Sequence, residues 1–363
     1  MDFSLSQQQK MIRGEFARLV KEVVIPRARE NDRTGSIPDT DLQKAWELGA
    51  CVSMIPEAFG GYGNPASAVD NALILEQLAY GETAFAMAAT APALFLHPIA
   101  EMGTEDQKKK YLPLYCRDTF KACTMAVNEP HYGFDPVELK TTAAKKNNTF
   151  MLNGDKCFVP LAAQSDHMLV AAVMDGKNEL FIVAADNPGL TISEKEANLG
   201  FYSLDTREVK LNNCEIPAED RLGGTTGCDF NRVLQKCRTA MSAMAVGLAR
   251  ASFDHARRYA KDRHQFGEPI ACRQSIAFMI AEMAYEVEAM RHLTWKAASR
   301  LDAGRDARRE AYLARLYAGE KVMRIADYGL QIYGGHGYIR EYPMERFYRD
   351  ARGVAILEGM ATV

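Results

Sequence analysis

No run in this chain of 363 residues is apolar over the roughly 20 residues that a bilayer-spanning helix needs. The opening stretch, Met1-Asp-Phe-Ser-Leu-Ser-Gln-Gln-Gln-Lys10, is polar and holds no signal-peptide core. Eight cysteines, at positions 51, 116, 123, 157, 214, 228, 237 and 272, include no C-x-x-C pair, and seven histidines include no H-E-x-x-H and no Cys/His cluster. A zinc site or a disulfide scaffold is therefore disfavoured, and a reducing cytoplasm is the expected compartment. G-x-S-x-G and G-x-x-x-x-G-K-[ST] are also missing, which argues against a serine hydrolase of that type and a P-loop nucleotide hydrolase. Neither sign of charge dominates: a formal net charge of -3 gives no electrostatic case for nucleic acid or an anionic membrane. What remains is an ordinary globular composition, 47% hydrophobic and 25% charged, with length enough for two or three subdomains and a large core.

Helix-period stripes open the chain. Leu5, Ile12, Phe16, Leu19, Val20, Val23 and Val24 recur at helical spacing, and Pro26 is expected to kink or end the regular part. Pro38-Asp-Thr40 reads as a second helix start, with Leu42, Ala45, Trp46 and Leu48 as its buried stripe and Gly49 as its close. The Gly-rich loop Ile55–Gly63 lacks both G-x-G-x-x-G and a preceding strand, so it is not a dinucleotide fingerprint. Residues 64–80 and 83–102 are apolar nearly all round, which predicts two helices buried on most faces. Thr104 reads as the N-cap of the next helix, with acidic residues in its first turn.

The texture changes near residue 120. Short runs separated by Asn-Asn, Asn-Gly-Asp, Asp-Gly-Lys and Asn-Pro-Gly turns predict a mostly antiparallel β domain reaching to about residue 222. Helical periodicity returns after Cys228, over residues 231–263, 274–301 and 305–333, with Gly304 and Gly334-Gly335 as breaks. The expected organisation is a helical domain over 1–119, a β domain over 120–222 and a helical bundle over 223–363, with no linker long enough for independent domains. Near the end, one carboxylate, Glu358, follows the apolar run Val354-Ala-Ile-Leu357. A carboxylate in apolar surroundings resists ionisation and can serve as a strong general base. A surface Glu after a helix end satisfies the same pattern, and these residues alone leave the two readings open.

Three stretches tie the chain to a family. They are Asn128-Glu-Pro-His-Tyr-Gly-Phe-Asp135 followed by Leu152-Asn-Gly-Asp-Lys156; Arg263-His-Gln-Phe-Gly267 with Pro269-Ile270; and Gln331-Ile-Tyr-Gly-Gly-His-Gly-Tyr338 through Arg349-Asp-Ala351 to Glu358-Gly359. With these in order, essentially the whole chain resembles the acyl-CoA dehydrogenase family. The resemblance implies a mainly α fold with a β insert: an N-terminal helical domain, a middle antiparallel β domain and a C-terminal four-helix bundle. It implies FAD between the β domain and the bundle, with its adenosine half held by the neighbouring subunit of a homotetramer or homodimer. The implied reaction is α,β-dehydrogenation of an acyl-CoA thioester to the enoyl-CoA, with electrons passing on to an electron-transferring flavoprotein.

By the same resemblance Glu358 matches the base that takes the α-proton while the β-hydrogen leaves as hydride to flavin N5, and its backbone N–H would bind the thioester carbonyl. Arg238 matches an arginine at the base of the active site. Arg263 matches the residue that reaches the FAD pyrophosphate across the subunit interface, where a planar guanidinium suits paired phosphate oxygens. Phe266 would pack beside the adenine, and Gln331, Gly334 and Gly335 match a loop whose backbone approaches the cofactor. Asn128, Phe158 and Pro160 match positions on the flavin side, but depart from the family pattern. Asn128 stands where Thr is usual, Phe134 replaces a small hydroxyl residue, and Pro160 offers neither the hydroxyl nor the N–H expected near flavin N5. Met360 replaces a usual Thr, and the resemblance would lead one to expect a further helical stretch beyond Val363.

Two readings compete. One is a divergent active member, favoured by the retained Glu358. The other is a flavin-sharing subunit, in a heterotetramer with a paralogous chain, that lends Arg263 and Gln331 to its partner. A flavin monooxygenase on the same fold is a third, against which Glu358 argues. Small residues at Ala84, Ala86, Ala88, Ala89, Thr90 and Ala91 leave room for a bulky or branched acyl chain.

Overall fold

The computed structural model describes residues 4–363. Ser6 starts α1 (Gln7–Leu19): its hydroxyl accepts from the Gln9 N–H, and the Gln9 side chain accepts from the Ser6 N–H in return. Pro26 does not end this helix. The chain widens into a π turn over Val20–Val24 and continues as α2 (Ile25–Thr34), with Pro26 in the first turn of the new segment, where a missing N–H and a fixed φ are tolerated. Gly35, at φ +72°, closes it. α3 (Asp39–Glu47) buries Leu42, Ala45 and Trp46 as the spacing predicts, but Leu48, expected in the same stripe, is 36% exposed at the helix end; Trp46 Nε1 donates to the Arg117 carbonyl at 2.7 Å. α4 (Ala68–Gly81) is buried on most faces. The next apolar stretch is two helices rather than one. Pro92 cannot donate to a carbonyl four residues back, and the run divides into α5 (Thr83–Thr90) and α6 (Ala93–Met102), bent by 42°. α7 (Glu105–Tyr115) starts at Thr104 with the expected cap, completed by Gln107.

The small residues of α5 leave no spare room. Ala84, Ala86, Ala88, Ala89, Thr90 and Ala91 are all at most 2% exposed and packed in the core, so their size serves close helix packing and not an acyl chain. Among the described residues no single helix is long and apolar enough to cross a membrane; the bent pair of α5 and α6 passes on composition only, and most of it is core.

The middle of the chain forms one seven-stranded sheet: β1 (Thr124–Ala126), β2 (Thr142–Lys146), β3 (Thr149–Pro160), β4 (His167–Met174), β5 (Lys177–Ala184), β6 (Leu190–Lys195) and β7 (Thr206–Pro217). The order is β1-β4-β2-β3-β7-β6, with β5 also on β4. The β2–β3, β3–β7, β4–β5 and β6–β7 pairs are antiparallel, while β4 lies between β1 and β2 and runs parallel to both. Period-two alternation splits β4 between two cores. Met168, Val170 and Ala172 join a core internal to the β domain, while Leu169 and Ala171 join the large core shared with the helices. The sheet is thereby fixed against the helical body on one face.

The bundle is α8 (Phe230–Asp262), α9 (Gln274–Asp302), α10 (Arg308–Tyr333) and, after the short α11 (Gly335–Tyr338), α12 (Met344–Ile356); a hairpin of β8 (His264–Gln265) and β9 (Glu268–Pro269) joins the first two. At 33 residues α8 is about 50 Å long. Its contact with α4 is backbone to backbone: a Cβ on Gly247 would lie 2.3 Å from the Glu76 carbonyl oxygen. Glu76 itself receives Arg250 from α8 and Arg291 from α9, which ties the N-terminal helices to the bundle. In α12, Met344, Phe347, Ala351 and Val354 form the buried stripe.

Candidate active site

α12 stops at Ile356, and Leu357 adopts an extended backbone (φ −88°, ψ 139°) that carries the chain off the helix. The turn places Glu358 between α8, α10 and the loop after β1. Its side chain is 17% exposed, and Oε2 is buried without a hydrogen-bond partner. Arg238 Nε, from α8, lies 3.8 Å from Oε2, and Arg315 Nε, from α10, lies 3.6 Å from Oε1. Burial raises the Glu358 pKa above the usual carboxylate range; Arg315 and Arg238 pull against that rise and Asp135 adds to it. Arg238 was an expected neighbour. Arg315 was not, because one arginine in an arginine-rich helix has no spacing of its own. The available signal was Gly319, one turn on, where a Cβ would sit 3.0 Å from Arg315 Nη1.

The Glu358 backbone is held from the β domain. Asn128 Nδ2 donates to the Glu358 carbonyl at 2.6 Å, and the Glu358 N–H donates to Asn128 Oδ1 at 3.1 Å. The side-chain amide thus grips this residue from both sides of its Cα. Sequence reasoning assigned Asn128 to the cofactor; here its amide is engaged with Glu358, and so is the N–H expected to face a thioester. The loop that presents Asn128 is fixed in turn by Glu129, which accepts from the N–H groups of Lys140 (2.7 Å) and Thr141 (2.9 Å) and from Lys156 Nζ (2.9 Å). Burial alone would raise the Glu129 carboxyl, but Lys156 and these donors bring it down to about 2. Lys156 has no exposed side-chain surface, and burial lowers its pKa to about 8.

Phe158 and Pro160 lie at the end of β3, which bulges between Lys156 and Val159 and gives Phe158 a φ of +52°. The bulge is joined to the Asn128 loop by the Cys157 N–H, which donates to the Asn128 carbonyl at 3.0 Å. The Phe158 ring packs partly buried against the main core, while its N–H donates to the Glu196 carboxylate at 3.1–3.2 Å. Pro160 is buried and paired with Thr206 on β7. Phe134 sits edge-on to His131 at 5.8 Å.

The remaining expected residues gather at the far end of α8 and α10. Tyr259 stacks on Tyr333 at 3.9 Å between centroids, and its hydroxyl is 2.8 Å from His336 Nδ1, which brings the two helix ends together. Arg263 caps α8 and is exposed, as is Gln331. Phe266 is 92% exposed. Gly334 has φ +57° and ψ −130°, a backbone region essentially reserved for glycine. A Cβ on Gly334 or Gly335 would meet nothing within 4 Å, so no contact within the chain calls for their bareness. A guanidinium, an open aromatic ring and bare backbone together fit a pyrophosphate and an adenine. The flavin side fits less well: Phe158 offers a ring, but Asn128, the Phe158 N–H and Pro160 offer no free donor. From Arg238 to Asp262 α8 rises about 36 Å, so the two clusters are separate places on one chain.

Comparison with known proteins agrees with this architecture. Residues 6–119 match the N-terminal domain of acyl-CoA dehydrogenase, residues 124–214 its middle domain and residues 230–363 its C-terminal domain. The chain is 35% identical over 373 residues to the probable acyl-CoA dehydrogenase YngJ of Bacillus subtilis (strain 168), spanning 100% of this chain and 97% of that one. It resembles the structure of butyryl-CoA dehydrogenase from Megasphaera elsdenii with a TM-score of 0.90 at 31% identity, covering 100% and 96% of the two chains. A chain in the structure described as electron transferring flavoprotein of Acidaminococcus fermentans matches with a TM-score of 0.89 at 30% identity, covering 100% and 96%. With all three domain models in order along its length, this chain belongs to the acyl-CoA dehydrogenase family of oxidoreductases.

Proposed function

We propose that the chain oxidises an acyl-CoA thioester to the α,β-enoyl-CoA, with Glu358 removing the α-proton. The observation that carries this reading is the setting of Glu358: a carboxylate drawn from water, flanked by Arg238 and Arg315, and held along its backbone by Asn128. An α-proton next to a thioester is weakly acidic, so its base must gain by taking it. Burial supplies that gain, because the protonated, neutral Glu358 no longer carries a desolvated charge. Activity should then decline as pH falls through the raised Glu358 pKa, since only the ionised carboxylate accepts a proton.

Bound FAD would supply the acceptor for the β-hydride. Arg263, Phe266, Gln331, Gly334 and Gly335 would hold the pyrophosphate and adenosine of a neighbouring subunit's FAD. Their separation from Glu358 by the length of α8 supports that division and a homodimer or homotetramer. Likeness to a chain described with an electron transferring flavoprotein supports such a protein as electron acceptor.

The test is anaerobic flavin bleaching against a panel of aliphatic, cyclic, aromatic and dicarboxylic CoA thioesters. Glu358→Gln should slow bleaching by roughly 10²–10⁴-fold, the usual weight of a general base. Bleaching at the wild-type rate would remove Glu358 from the reaction. The lack of free donors at Asn128, Phe158 and Pro160 favours one second reading, a flavin-sharing subunit of a heteromer. Sub-stoichiometric FAD in the homomer, restored by a second dehydrogenase-like chain, would favour that reading.

A further inference from the structure

Arg315 lies about two turns into α10 with its side chain 7% exposed. Its Nη2 donates to the Leu357 carbonyl at 2.7 Å, while its Nε, 3.6 Å from Glu358 Oε1, has no hydrogen-bond partner. The room it occupies exists because Gly319 has no side chain. One guanidinium therefore touches the peptide that leads into Glu358 and faces the carboxylate beyond it. Other groups face that carboxylate as well. From α8 come Arg238, whose guanidinium lies over the Tyr312 ring at 5.2 Å, and Cys237. From the β domain come Asp135 and the neutral Asn128. Arg352 of α12 and Glu320 of α10 line the groove of about 530 Å³ that Glu358 shares with those helices. Arg238 is farther than Arg315 and more exposed. Among the described residues, Arg315 alone combines an ion pair to Glu358 with a hydrogen bond to the backbone beside it.

We propose that Arg315 is a positioning residue that keeps Glu358 ionised in the resting site and fixes the direction its carboxylate faces. The proposal rests on the reading of Glu358 as the base. A carboxylate withdrawn from water tends to take up a proton and would then be spent before substrate arrives. A guanidinium stays charged when buried, so it opposes that uptake at any working pH. Because Arg315 is anchored on Leu357, it cannot follow Glu358 through a rotation, and its attraction favours one carboxylate orientation.

The experiment titrates the Glu358 carboxyl in flavin-free protein by difference infrared spectroscopy, using the band that Glu358→Gln removes. Arg315→Met should raise the midpoint by about 1–3 pH units, the usual effect of an adjacent arginine on a carboxylate. Arg315→Lys, which restores the charge, should recover most of that rise. Arg315→Gln, which keeps a donor for Leu357, serves if the methionine variant does not fold. With FAD and an acyl-CoA present, the acid limb of kcat should move in step with the infrared midpoint. Midpoints of folded Arg315→Met or Arg315→Gln within about 0.3 unit of wild type would overturn the assignment. A shifted midpoint in protein that no acyl-CoA bleaches would uphold the coupling and sink the dehydrogenase reading instead.

Discussion

Replacing Lys156 by methionine tests how the β domain supports the site. The side chain has no solvent exposure, and its ammonium meets Glu129 at 2.9 Å and the Val127 carbonyl at 3.2 Å. Lys156→Met fills much of the same space and removes the cation. Glu129 is left buried, still accepting from the N–H groups of Lys140 and Thr141. Breaking a buried ion pair by deleting one member costs about 3–5 kcal/mol, and the surviving partners, the two N–H groups and His131 Nε2 at 3.1 Å, place this case near 3 kcal/mol. An unfolding entropy near 2.1 cal/mol/K per residue amounts to roughly 0.76 kcal/mol/K over 363 residues, so melting as one unit should shift down by about 4 °C. Calorimetry at pH 7 reads the shift, and circular dichroism confirms that the variant is folded. Adding Glu129→Gln removes the stranded charge and should recover part of the loss, because its single carbonyl oxygen can accept from only one of the Lys140 and Thr141 N–H groups, which meet different carboxylate oxygens. A single variant melting within about 1 °C of wild type, or a double variant no better than the single, would refute the reasoning. The sign with pH is also fixed. The Glu129 pKa is depressed in the folded state, so its contribution is present above the usual carboxylate range and disappears as pH falls toward about 2. The lysine variant should therefore show a smaller loss of stability over that acid window than wild type.

Two further outcomes follow from burial elsewhere. His97 is buried with Nε2 3.0 Å from the Cys51 carbonyl, and burial lowers its pKa to about 4. The unfolded chain binds its proton first, so melting temperature should fall as pH drops from about 6.5 to about 4, and His97→Gln should flatten that slope. Gly247→Ala would press a Cβ to 2.3 Å from the Glu76 carbonyl oxygen, forcing α4 and α8 apart. Overpacking of this kind costs about 1–3 kcal/mol, to be read as a lower urea midpoint with an unchanged m-value.

Much of the fold was legible because apolar periodicity is local. Thr104 capped its helix as read, whereas the division of β4 between two cores could not be read from its continuously apolar run. Prolines gave mixed guidance. Pro26 was read as a kink or an end; the regular α-helix does give way there to a π turn, but the helical path continues through Pro26, whereas Pro92 divided a run read as one helix. α12 went unnoticed because its buried stripe is interleaved with charged residues. Glu358 stood out as a carboxylate beside an apolar run, but its supports did not. Asn128 is 230 residues away along the chain and Arg315 is 43 away from it, so no local spacing records either contact. The small residues of α5 misled for the opposite reason: composition cannot distinguish an alanine that clears a pocket from one that lets helices touch.

The length of α8 has a genetic consequence. One rod carries Arg238 beside Glu358 in its first half and ends at Asp262, about 36 Å on, with Arg263 as its cap. If each end serves a different active site, a lesion at Glu358 and a lesion at Arg263 disable different partnerships. Two inactive alleles expressed together would then assemble a hybrid in which one site collects both defects and the other is wholly intact. Complementation between alleles of a single gene would be written into the span of one helix.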